Sequence, residues 1–134
     1  MVRRQFFVLL MCSVALATSA IGQSSTGPQT PESAVRALLA AMEANDAVRI
    51  RAAFAPAATQ AYGNGAPKAG EAFSRWLQSD IIGRHGQVAN AILAVTGNEV
   101  VVTGQYRNNA GYTSAADFLF KVSEGRIVSW QMRY

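Results

Sequence analysis

Apolar residues recur with two different periods in this chain, and the change from one to the other falls near Gln87. In TPESAVRALLAAMEAND, Val35, Leu38, Leu39 and Met42 repeat at the three-to-four-residue spacing of a helix that buries one face. Thr30 offers a side-chain oxygen for the cap. Pro31 suits the first helical position, where its missing N–H has no partner to lose. Asn45 and Asp46 break the pattern, and Asp46 then caps a second short helix through Val48, Ile50, Ala53 and Phe54, stopped by Pro56. YGNGAPKAG, residues 62–70, predicts a turn-rich loop. A third helix follows with Phe73, Trp76, Leu77 and Ile81 on one side, and it ends near Gly83.

Beyond Gln87 the period shortens to two. QVANAILAV, VVVTGQY, YTSAADFLFKV and RIVSWQMRY are four strand-like runs, separated by TGNE, RNNAG and SEG. Three helices followed by four strands predict an α+β domain, with an antiparallel four-stranded sheet packed on the helices. Gly104, inside the second strand, predicts a bulge or bend that curves the sheet.

Parity along the strands sorts their side chains into faces. In the third strand Tyr112, Ala116, Phe118 and Phe120 share one face, and Thr113, Ala115, Asp117, Leu119 and Lys121 share the other. Taken alone, this turns Asp117 to water. The fourth strand carries Val128, Trp130, Met132 and Tyr134 on its apolar parity. If SEG forms a hairpin loop of two or four residues, Asp117 and Leu119 fall on the same side as Trp130, Met132 and Tyr134. A three-residue loop reverses the assignment. With Val100, Val102 and Tyr106 on one parity of the second strand, the expected result is an aromatic-lined concave face with Asp117 inside it. Phe118, Phe120, Ile127 and Gln131 then lie on the outer face and predict a symmetric homodimer through it.

The first 22 residues change the charge argument. Arg3 and Arg4, an apolar run from Phe6 to Ala17 and the small residues Thr18, Ser19 and Ala20 form the pattern of a secretory signal peptide. The apolar run is shorter than the roughly 20 residues a bilayer requires. Residues 1–22 are therefore expected to be removed, residues 23–29 to form a flexible lead-in, and residues 30–134 to form one exported domain, periplasmic or secreted, with no further tie to the membrane. Two of the twelve cationic residues leave with the segment, so ten face eight acidic ones and the net charge drops from +4 to +2. No Lys/Arg cluster interleaved with aromatics is present, which argues against nucleic acid as a partner. Cys12, the one cysteine, leaves as well, which excludes thiol chemistry; with His85 the one histidine, no metal site and no cofactor are expected.

The order of these elements, together with A-N-D closing the first helix, F-A-P-A-A-T closing the second and the ending F-x-F-x-x-x-x-G-R-I-x-S-W, resembles the nuclear transport factor 2-like (SnoaL-like) superfamily. The similarity spans residues 30–134. It implies a conical α+β barrel, three helices on a curved sheet, around a deep apolar cavity. Members include isomerases, dehydratases, epoxide hydrolases and cyclases, and others that only bind or dimerise. Ketosteroid isomerases of this fold hold a protonated aspartate eight residues before the glycine of the last turn, and Asp117 and Gly125 keep that spacing. Their oxyanion tyrosine falls at Leu38 here and their general base at Tyr62, so the same chemistry is not implied.

Tyr62 is then either a proton or hydrogen-bond donor at the cavity mouth or a half-buried loop ring. His85, between Gly83 and Gly86, either moves protons near neutral pH or faces solvent. Trp76 belongs to the core or to the ligand platform, with Tyr106, Leu119, Trp130, Met132 and Tyr134 completing the expected lining. Asn90 is placed either way, and Asp80 reads as a surface charge. The reading that leads is an exported domain whose cavity binds a small apolar molecule, cyclic or carbonyl-bearing, through Asp117 and Tyr62. The alternatives are a cofactor-free lyase or isomerase with Asp117 as proton donor and Tyr62 or His85 as partner, and a ligand-free dimerisation scaffold.

Overall fold

The computed structural model of the protein describes residues 30–133; the proposed signal segment, the lead-in and Tyr134 lie outside the described residues. Three α-helices and five strands follow in the order α1 (Pro31–Glu43), α2 (Ala47–Ala52), β1 (Phe54–Tyr62), α3 (Gly70–Trp76), β2 (Gln87–Thr96), β3 (Glu99–Arg107), β4 (Thr113–Ser123) and β5 (Arg126–Met132). The strands form one sheet ordered β1-β5-β4-β3-β2, antiparallel except where β1 runs parallel to β5.

The first helix and the start of the second form as expected. Thr30 caps α1 by accepting from the Ser33 N–H at 3.0 Å, with Pro31 in the first turn. Val35, Leu38, Ala41 and Met42 are buried on one stripe against the sheet. Asn45, at φ 50°, ends the helix in the left-handed region, and Asp46 caps α2 by accepting from the Arg49 N–H at 3.1 Å.

The fifth strand corrects the expected count of four. Phe54 begins β1 where the second helix was expected to run on, and Pro56 lies within β1 instead of stopping a helix. An alanine-rich run with a proline lacks the β-branched pattern of a strand. It is tolerated here because β1 is an edge strand, paired only with β5, and its register with β5 is irregular between Phe54 and Thr59.

The β4–β5 hairpin carries the main correction. Ser123 pairs with Arg126, so the turn is the expected two-residue loop, with Glu124 and Gly125 both at positive φ. Lys121, however, pairs with Ser129 while Val122 pairs with Ile127, which leaves Val128 as an extra residue in β5. This bulge reverses the parity beyond it. Phe118 now lies opposite Met132 and Phe120 opposite Trp130, all on the inner face. Phe118, at 2% exposure, and Phe120 and Ile127, at 0%, are therefore core residues and not an outer dimer surface. Asp117 and Leu119 take the outer face.

The core fills the space between α1 and the concave side of the sheet. Trp130 is its centre: its ring lies 5.0 Å from Phe120, 5.2 Å from Trp76, 5.4 Å from Phe118 and 6.1 Å from Phe54. Burying each such side chain contributes about 1.5–3 kcal/mol. On the other hairpin, β2 carries a second bulge between Ala89 and Ile92, with Asn90 at φ 55°. Gly104, opposite it, adopts φ 152°, and a Cβ there would meet the Ala89 carbonyl at 2.7 Å. The bend expected at Gly104 is thus present, and Asn90 turns out to solvent instead of into the cavity.

Candidate functional site

A cavity of about 270 Å³ opens between the end of α3 and the inner face of the sheet. α3 does not stop at Trp76 but widens into a π-helical segment, Leu77–Ile82, in which the Gly83 N–H donates to the Gln78 carbonyl five residues back at 2.7 Å. Segments of this kind recur at functional sites. Here Trp76, just before the segment, and Asp80 and Ile81 within it line the cavity together. Across from them stand Tyr106 on β3, Phe118 on β4 and Met132 on β5, with Tyr62 at the end of β1.

Asp80 is the polar centre of this wall. The Trp76 Nε1–H donates to the Tyr62 hydroxyl oxygen at 2.6 Å, and Tyr62 donates to Asp80 Oδ2 at 3.2 Å. An indole N–H can only donate, so the phenol oxygen accepts and its one proton is directed at the carboxylate. Ser79 Oγ donates to Asp80 Oδ1 at 2.9 Å, and the Tyr106 hydroxyl donates to the Asp80 carbonyl at 3.3 Å. Burial pushes the Tyr106 hydroxyl above the ordinary tyrosine pKa; the charge of Asp80 acts in the same direction, against a hydrogen bond to Asn108 and the charge of Arg84. Lys68 sits 4.5 Å over the Tyr62 ring and donates to Gln60 Oε1 at 3.3 Å, which fixes the strand end that carries Tyr62.

The mouth is shaped by the β3–β4 loop. Asn108 Oδ1 accepts from the Ala110 N–H at 2.9 Å and from the Tyr112 N–H at 3.2 Å, and the Asn109 N–H donates to the Arg84 carbonyl at 2.9 Å. The loop is thereby tied to the end of the π segment, and Tyr112 is held 6.1 Å from the Tyr106 ring.

Of the expected site residues, Tyr62, Trp76, Tyr106 and Met132 line the cavity. Trp130 is core behind it. Leu119 is on the opposite face of the sheet. Asp117 is there too, paired with Arg133 at 2.8 Å with 41% of its side chain exposed, so it is neither the cavity floor nor a proton donor within it. The bulge at Val128 is the reason. His85 lies outside the cavity, exposed, with Nε2 3.1 Å from Asn45 Nδ2; it joins the α1–α2 turn to the α3–β2 connection. Among the lining residues that were missed are Phe118, placed on the outer face, Arg84, and Asp80, read as a surface charge. The signal for Asp80 was its four-residue spacing from Trp76, which sets both on one side of a helix. Among the described residues no three His, Cys, Asp or Glu side chains come together as metal ligands.

No family model matches this chain, and no curated protein matches its sequence at a significant level. Solved structures do. A nuclear transport factor 2-like protein of unknown function from Cytophaga hutchinsonii superposes with a TM-score of 0.66 at 19% identity, covering 77% of this chain and 88% of that one. A candidate polyketide cyclase from Sinorhizobium meliloti gives 0.62 at 22% identity over 75% and 93% of the two chains. A Mycobacterium tuberculosis protein in complex with estradiol-17beta-hemisuccinate gives 0.62 at 16% identity over 79% and 95%. The fold is that of the nuclear transport factor 2-like proteins, as the sequence pattern implied.

Proposed function

We propose that this protein is an exported domain that binds a small cyclic molecule in the cavity between α3 and the sheet. The observation that carries the reading is the cavity wall. Tyr62, Trp76, Tyr106, Phe118 and Met132 present apolar and aromatic surface around one hydrogen-bonded carboxylate, the composition of a small-molecule site. Similar structures in complex with a ring compound or described as candidate cyclases support the same use of this fold. Native mass spectrometry of the purified protein tests it: a retained small molecule that Trp76→Ala abolishes is the expected result, and no retained or added ring compound at all overturns it.

Export rests on the Arg-apolar-small order of residues 1–22. Expression with its own leader should yield a non-cytoplasmic protein that begins near Ile21 or Gln23, read by N-terminal sequencing; an intact Met1 form in the membrane overturns it. A homodimer through the outer sheet face now rests on Ile92, Ala94, Val101 and Leu119, which share that face by register. Ile92, at 70% exposure, is the residue a second copy would cover. Light scattering at tens of micromolar, in the range where weak dimers form, should show two subunits for the native chain and one for Ile92→Lys.

A further inference from the structure

Asp80, within the π segment, and Arg84, in the turn just beyond its end, both line the cavity. Opposite charges four residues apart on an α-helix commonly pair. Here they do not: among the described residues Arg84 forms no ion pair within 4.0 Å, with Asp80 or any other carboxylate. Asp80 is instead held by hydroxyl groups, Tyr62 on Oδ2 and Ser79 on Oδ1. An ionised carboxylate has about four acceptor positions, so two hydroxyl donors leave capacity for a third. The guanidinium, on the same rim, presents donors in a planar fork that suits a carboxylate.

Resting on the cavity as the ligand site, we infer that Asp80 and Arg84 form a bipolar recognition pair that selects a hydroxylated aromatic acid. The ligand's hydroxyl donates to Asp80, its carboxylate accepts from Arg84, and its ring lies against Trp76, Tyr106 and Phe118. The volume, about 270 Å³, lies just below the roughly 300–1,000 Å³ of drug-sized sites and suits one or two rings. Each pole also rejects the wrong partner. A carboxylate turned towards Asp80 meets like charge, and a hydroxyl at Arg84 gives up the ion pair, so the pair fixes the direction in which the ring enters.

Calorimetric titration of the purified protein with 4-hydroxybenzoate and 6-hydroxy-2-naphthoate tests this, against phenol and 2-naphthol, which lack the acid, and benzoate and 2-naphthoate, which lack the hydroxyl. The better of the two hydroxy acids should bind about tenfold more tightly than either of its partial analogues, the scale of one charge-assisted hydrogen bond. Arg84→Gln should bring its affinity down to that of the phenol and leave the phenol unchanged. Asp80→Asn should bring it down to that of the plain acid. Arg84 is exposed, so its substitution alone decides the matter if Asp80→Asn fails to fold. Phenols that bind the native protein as tightly as the hydroxy acids overturn the inference and leave the cavity reading standing. If none of the six ring compounds binds, both fall.

Discussion

Asp117 on the outer sheet face and Asp80 at the cavity wall are both carboxylates in apolar stretches, and the fold treats them in opposite ways. Asp117 pairs with Arg133 across a solvent-exposed surface, where an ion pair contributes about 0–1 kcal/mol. Asp80 sits where three side-chain hydroxyl groups converge on its carboxylate and its carbonyl. Strand alternation singles out Asp117, because an acid inside an alternating run stands out. A helix-end acid does not stand out, yet helix-end geometry places the acid that lines the cavity. The prominence of a residue in the pattern and its position relative to the cavity are independent properties, joined only by register and packing.

The sharpest way to break the comparison is to delete Lys121. Without Lys121, Phe120 directly precedes Val122 and alternation sets the two on opposite faces, so Phe118 and Phe120 cannot stay inward together with Val122. The cooperative denaturation transition should be lost, read by circular dichroism in urea. A variant as stable as the native protein would mean that strand register does not assign the faces.

Neighbouring substitutions on β4 measure the two faces directly. Phe118→Ala removes a buried ring and should cost about 3–5 kcal/mol, whereas Leu119→Ala on the outer face should cost no more than about 1 kcal/mol in the monomer. Urea midpoints at unchanged slope give both values. Equal costs would erase the distinction between the faces.

The two carboxylate environments separate at a smaller scale. Tyr62→Phe leaves the Trp76 N–H and one Asp80 oxygen without their partner and should destabilise by about 1–3 kcal/mol. Asp117→Asn should change stability by less than about 1 kcal/mol, and by less still in high salt. Thermal unfolding at low and high salt distinguishes them.

The smallest effect is at high pH. The Tyr106 pKa is raised in the folded protein, so its neutral form is favoured by folding. Its contribution is fully present below the unfolded tyrosine value of about 10, and it is lost as pH rises from there through the raised folded value. Tyr106→Phe should therefore flatten the alkaline fall in stability. Spectrophotometric titration should show one phenol ionising later than the others in the native protein and not in the variant.

Local chemistry alone determined much of this fold. Thr30, Pro31 and Asp46 act as caps and a first-turn residue, Gly104 takes the bend, Glu124 and Gly125 take the turn, and the strands run close to their alternating segments. These features depend on residues within a few positions of one another, so the order of residues is enough to read them. β1 needed the structure, since an alanine-rich edge with a proline becomes a strand only through pairing with β5, which is distant in the chain. The side of the sheet taken by Asp117 also needed it. One unpaired residue at Val128 inverts a face, and a bulge is decided by how Ile127 and Trp130 can both reach the core. The cavity was hidden for the same reason: Tyr62, Asp80, Tyr106 and Met132 come from four separate elements. Alternation assigns each side chain a side, but only packing between elements decides which side is inside.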